Sequence, residues 1–132
     1  LPNSVVYGVP IAGFFVEIPG AKGEAFMKTI EDANKLHHSK GSLKAACRER
    51  MSDGEDFQCA FPQETAATLK ARWFMFNSRF DTWMLQNALG VRCSAEHCDM
   101  PATRHTVKGL GEVFMDAVQP VLDRPGSRNG AF

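Results

Sequence analysis

The stretch "RWFMFN", Arg72 to Asn77, is a continuous run of bulky apolar side chains between two polar residues. Alternation of apolar and polar residues would mark a strand with one wet face. A run without alternation is the mark of a strand covered on both faces, the usual situation in a parallel sheet flanked by helices. This one feature therefore directs the chain towards an α/β architecture.

The flanking segments agree. "SVVYGV", residues 4 to 9, is β-branched and aromatic and is ended by Pro10, which reads as a second buried strand. Gly13 then permits an unusual turn before "FFVEI". Residues 24 to 38 carry Phe26, Met27, Ile30, Ala33 and His37 at helical spacing, with Gly41 as a stop. Residues 39 to 61 are polar, cysteine-bounded and loop-like, and "PQETAATLKA", 62 to 71, is a helix with Pro62 in its first turn. A short helix over Thr82 to Leu89 is closed by Gly90. From about Thr103, an apolar stripe of Val107, Leu110, Phe114, Val118 and Leu122 marks a last helix, weakened by Gly109, Gly111 and Pro120. The order strand, helix, helix, strand, helix, helix predicts an α/β chain with a parallel sheet. Two strands make a poor sheet alone, so residues 1 to 132 read as one incomplete domain. The start at Leu1, without a signal-like segment, and the abrupt end at Phe132 carry the same expectation of a piece.

Charge narrows the partners. Fifteen basic and fifteen acidic side chains cancel, so no long-range field favours nucleic acid or an anionic membrane. The patch "HHSKGSLK" is short and reads as a solvated loop. Apolar runs such as "GVPIAGFFVEI" fall far short of the roughly 20 residues that span a bilayer. No transmembrane segment is expected.

Four cysteines form two local pairs, Cys47 with Cys59 and Cys93 with Cys98. Three connectivities are possible, and two short loops closed locally is the simplest. Disulfides would place the chain in an oxidising compartment. The zinc alternative lacks both a C-x-x-C motif and paired histidines at ligand spacing.

Asp81 is the acid that most invites a chemical reading, because it follows the buried strand. Ligands of parallel α/β sheets gather beyond the carboxyl ends of the strands, and an acid there can orient a catalytic histidine. Asp81 also directly precedes "TWMLQNAL" and can cap that helix. Spacing alone favours the cap. None of the seven serines has a glycine two residues away on both sides, as a nucleophile elbow requires; Ser52 comes nearest, with Gly54 behind it but Arg50 ahead. His37, His38, His97 and His105 all have structural or solvent-facing explanations, and pairing would consume the cysteines as nucleophiles. Phe26, Met75, Phe76, Phe114 and Met115 read as core.

The block "CAFPQETAATLKARWFMFNSRFDTWMLQNAL", residues 59 to 89, resembles a pattern of the pectin acetylesterase and Notum family: Cys, two apolar residues, Pro-Gln, a helix, then a strand ending N-A-A-Y-D-[ST]-W-Q. "AGFFVEIPG" at 12 to 20 is similar to that family's D-[AS]-G-[FW]-F-L-D, "NGAF" at 129 to 132 to N-G-[LM]-F, and the four cysteines fall in the family's order. The resemblance implies a partial α/β-hydrolase fold, a secreted carboxylesterase acting without a cofactor, and a carbohydrate ester as substrate. It places Asp81 on the acid of a Ser-Asp-His triad, with the serine region before Leu1 and the histidine region after Phe132. The chain would then be inactive alone and would need the remainder of the hydrolase domain. The alternative is a non-catalytic accessory subunit of a larger assembly, in which Phe14, Phe15, Trp73 and Trp83 would need a partner surface. Two departures stand near the site: Ile11 occupies the place of the family's acid, and "NSRFD" brings Arg79 beside the strand end.

Overall fold

The computed structural model describes residues 4–92, 101–126 and 129–132. Three short parallel strands, β1 (Tyr7–Gly8), β2 (Arg72–Met75) and β3 (Gly130–Ala131), form a sheet in the order β1-β2-β3. Tyr7 lies opposite Arg72 and Gly8 opposite Trp73, while Phe74 and Met75 face Gly130 and Ala131. Pairing runs on past the strand ends. Phe76 N–H donates to the Pro10 carbonyl at 3.0 Å, Ala12 N–H to Phe76 at 2.8 Å, and Phe132 N–H to Met75 at 2.8 Å. "RWFMFN" is thus the central strand, and the apolar end "NGAF" supplies a third strand beyond the two expected.

Helices α1 (Ala21–Leu36), α2 (Ala45–Arg48) and α3 (Pro62–Ala66) connect β1 to β2, and α4 (Pro101–Leu122) precedes β3. Helix α1 starts three residues before the predicted start and stops at Leu36, because His38 turns into the left-handed region at φ 50°. Gly23 in its first turn is obligatory: a Cβ there would lie 1.6 Å from the Ile18 carbonyl oxygen. The predicted loop 39–61 contains α2 and two tight 3₁₀ turns, Ser39–Ser42 and Asp56–Ala60, joined by the Cys47–Cys59 disulfide with a Cα separation of 5.9 Å. The expected Cys93–Cys98 pair lies outside the described residues. Helix α3 is half the length predicted, ending at Ala66.

One face of the sheet carries the core. Trp73 and Met75 point into it and pack with Phe14, Val16, Phe26, Phe61 and the α4 stripe. That stripe buries Val107, Leu110, Phe114 and Val118 as expected, but Val121 takes the place given to Leu122, which is only half-buried. Pro120 does not end α4, since it sits in the last turn, and Gly111 is needed where the Phe80 ring lies against the helix: a Cβ would come within 2.5 Å of that ring.

The opposite face is bare. Phe74 and Phe76 are 42 % and 44 % exposed, and their rings continue a ladder to Phe132 with centroids 5.2 and 6.0 Å apart. Tyr7, Val9 and Ile11 of the first strand segment are exposed as well. The expectation of burial on both faces is therefore met on one face of β2 only, and the expected buried strand at residues 4 to 9 is exposed except at Gly8, because no described segment packs against the bare face or beyond the β1 edge. The set of residues expected to need cover also changes. Phe14 and Trp73 are buried under the helices, Phe15 is partly buried, and only Trp83 of that group is largely exposed, at 48 %.

Candidate active site

The carboxyl ends of the three strands converge on Asn77. Its backbone N–H donates to the Phe132 carbonyl at 3.1 Å, and its side-chain Oδ1 accepts from Phe14 N–H at 2.9 Å. One residue thereby ties the exits of β1, β2 and β3 together. Sequence reading gave Asn77 no role; its signal was a single polar amide closing an apolar run. Beside it, Ala12 holds a left-handed conformation, φ 51°, which is costly for a residue with a Cβ.

The loop 77–81 leads from this junction to Asp81. Ser78 Oγ accepts from Phe80 N–H at 3.1 Å, and Phe80 anchors the loop by seating its ring on α4 at Gly111. Arg79 does not reach inward: its guanidinium lies 4.7 Å from the centre of the Phe80 ring, a cation–π contact at the surface. Asp81 then begins the helical turn whose Met84–Ala88 part is π-helical. Its Oδ1 accepts from Met84 N–H at 2.8 Å and its carbonyl accepts from Leu85 N–H at 3.0 Å. This is an N-cap, as spacing favoured. A carboxylate can accept several donors, so the cap leaves Asp81 capacity for one more.

An aromatic wall stands next to this turn. Trp83 packs on Phe15 at 5.1 Å and on Phe26 at 6.0 Å, and Phe26 meets Phe61 at 6.0 Å. A second acid, Glu17, lies on the segment leaving this edge. Its backbone N–H donates to Gln63 Oε1 at 2.9 Å, joining the segment to α3. Burial, reinforced by Glu64 and Glu55, pushes the Glu17 carboxyl above the ordinary carboxylate range, and its buried Oε1 has no hydrogen-bond partner among the described residues.

The other candidates stay apart from Asp81. His37 and His38 are exposed at the end of α1, and His105 is exposed on α4, while His97 lies outside the described residues. Ser52 is exposed in the disulfide loop. Among the described residues no group of three or more His, Cys, Asp or Glu side chains could hold a metal ion. No described helix is long and apolar enough to cross a membrane.

A parallel sheet whose strand exits are stapled by one asparagine, with a carboxylate one short loop beyond the central strand, is the framework of an α/β protein, a class whose ligands gather beyond the carboxyl ends of the strands. Comparison with known proteins makes this specific. The family model described as Pectinacetylesterase matches residues 1–129, and the chain belongs to that family. Pectin acetylesterase 11 of Arabidopsis thaliana is 28 % identical over 134 aligned residues, 92 % of this chain and 33 % of the relative. Pectin acetylesterase 7 of the same plant is 25 % identical over 127 residues, 86 % of the chain and 32 % of the relative. The chain therefore spans about one third of the length of these relatives. No solved structure matches significantly.

Proposed function

We propose that this chain is the central segment of the catalytic domain of a secreted carboxylic-ester hydrolase of α/β-hydrolase fold, one that removes O-acetyl groups from a polysaccharide, and that Asp81 is its triad acid. The nucleophilic serine and the histidine belong to the remaining part of the domain, on the same polypeptide or on a linked mate. Serine attacks the ester carbonyl, histidine takes the serine proton and returns it to the leaving alcohol, and Asp81 holds the imidazole in the tautomer that can do both.

The observation that carries this reading is the position of Asp81: one short loop past the central strand, at the edge where the strand exits meet. The bare sheet face supports the second half of the proposal. Tyr7, Val9, Ile11, Phe74, Phe76 and Phe132 form an apolar surface of the kind that water-exposed proteins cover. An apolar cleft of about 480 Å³ between β1 and α3, lined by Gly8, Phe14, Leu69 and Trp73, lies on the helix-covered side of the sheet. The remaining two thirds of the family's length is the natural cover for both. The Cys47–Cys59 disulfide supports a secretory origin, and a Cys93–Cys98 bridge is proposed alongside it.

The test has two parts. Intact mass and peptide sequencing of the native protein should find, on the same or a disulfide-linked chain, a Gly-x-Ser-x-Gly segment and a downstream histidine. In that complete protein, Asp81→Asn should lower turnover on an acetylated polysaccharide about ten-thousand-fold while keeping the helix cap. Turnover within tenfold of the parent would remove Asp81 from the triad. A native protein lacking the serine would instead favour the accessory-subunit reading.

A further inference from the structure

Pairing between the first strand segment and the central strand runs on through Phe76, whose N–H donates to the Pro10 carbonyl at 3.0 Å and whose carbonyl accepts from Ala12 N–H at 2.8 Å. In an evenly spaced parallel ladder the next rung would have Phe14 N–H donate to the Ser78 carbonyl. That rung is not made directly. Phe14 N–H donates instead to Asn77 Oδ1 at 2.9 Å, and Asn77 Nδ2 donates to the Ser78 carbonyl at 3.1 Å. One side-chain amide thus stands between the two groups that a continued strand would pair. The Asn77 backbone N–H donates to the Phe132 carbonyl at 3.1 Å, which holds the same residue from the β3 side.

We infer that Asn77 is the positioning residue of the carboxyl edge: its amide ends the ladder with both partners satisfied and so releases the chain into the loop that delivers Asp81. The inference rests on the proposed function, since it concerns Asp81 as the triad acid. The gap needs an acceptor and a donor on one short planar group, which an asparagine amide supplies; an aspartate has only the acceptor, and alanine has neither. Beyond Ser78 each step is fixed in turn. Ser78 Oγ accepts from Phe80 N–H at 3.1 Å, the Phe80 ring lies against Gly111, and Asp81 accepts from Met84 N–H at 2.8 Å. On the other side, the Phe14 bond follows the left-handed Ala12, a conformation that persists only where the surroundings hold it. The Phe14 ring is itself buried, with its centroid 5.7 Å from that of Phe114, so its N–H is presented from a fixed place. Removing the amide frees the Phe14 N–H and the Ser78 peptide together, and the path to Asp81 loses its first link.

The test combines amide hydrogen exchange with turnover in the native protein, comparing Asn77→Ala and Asn77→Asp, each alone and in the Asp81→Asn background. Exchange at Phe80 and Met84 should accelerate about tenfold in Asn77→Ala, while amides within α1 and α4 keep the rates of the parent. Turnover should fall about 100-fold with KM nearly unchanged, the size of effect expected when a reacting group is displaced by about an ångström. Asn77→Asp keeps the acceptor for Phe14 and loses only the donor to Ser78, so about tenfold is expected; it also carries the test if the alanine variant does not fold. In the Asp81→Asn background, Asn77→Ala should lower the residual turnover by less than about threefold, because the group it positions no longer acts. Unchanged exchange at Phe80 and Met84, an acceleration shared equally by α1 and α4, or the full loss repeated without the Asp81 carboxylate would each overturn the inference. Full activity of Asp81→Asn alone would remove the triad assignment, and the exchange rates would still show whether Asn77 holds the loop.

Discussion

Replacing Gly23 by alanine tests how tightly the first crossover is built. In an exposed helix the change is favourable, because alanine gains about 0.5–1 kcal/mol over glycine in the helix interior. At Gly23 the new methyl would lie 1.6 Å from the Ile18 carbonyl oxygen and 2.4 Å from its carbonyl carbon. Both atoms are backbone, so relief requires α1 to move away from the 18–20 turn by more than an ångström. That motion draws Phe26 away from Phe61 and Trp83, each now 6.0 Å from it. Overpacking typically costs about 1–3 kcal/mol, and partial exposure of a buried phenylalanine about 1–2 kcal/mol more. After subtracting the propensity gain, Gly23→Ala should destabilise by about 1–4.5 kcal/mol. Gly109 is the matched control: it is also inside a helix, and a Cβ there meets nothing within 4 Å. Gly109→Ala should stabilise by about 0.5–1 kcal/mol. Urea unfolding followed by far-ultraviolet circular dichroism measures both. Equal stability of Gly23→Ala and the parent would refute the close approach of α1 to Ile18.

Other substitutions probe the site and its supports. Asp81→Ala should lose the Met84 cap and about 1 kcal/mol, whereas Asp81→Asn should retain most of it, so urea midpoints of the two variants separate capping from any catalytic effect. Replacing Cys47 and Cys59 together by serine opens a loop spanning 12 positions and should cost about 3 kcal/mol on the chain-entropy estimate; an unchanged urea midpoint would contradict the pairing. Glu17 should make stability depend on pH in the reverse of the usual carboxylate sense. Its folded pKa is raised from the ordinary value of 4.5, so its favourable contribution is complete below that value and is lost as pH rises through the higher folded value. Glu17→Gln should flatten this decline between mildly acidic and neutral pH in thermal melts, and an unaltered slope would rule out a raised Glu17.

Much of the α/β plan was readable in the chain because it rests on local rules. The apolar run at 72–77 marked the central strand, and Pro62, Gly90 and the α4 periodicity marked helix limits that the fold respects closely. Asp81 as a cap followed from its place before a helical segment. The small elements between 39 and 61 were not legible, since four- and five-residue turns carry too few residues for periodicity to accumulate. β3 was missed as a strand for the same reason: two residues gain strand geometry only by pairing with Phe74 and Met75.

Periodicity, turn residues and cysteine spacing thus pointed to an α/β chain, to Cys47–Cys59 as part of the simplest pairing and to Asp81 as a helix cap, because each depends on neighbours in sequence. The tertiary structure alone decided which face of β2 is covered and that Asn77 joins the three strand exits. These depend on contacts between segments 50 or more positions apart, such as the 63-residue separation of Phe14 and Asn77. No local pattern encodes which distant partner a residue will meet; that is settled when the sheet forms and the helices pack on it.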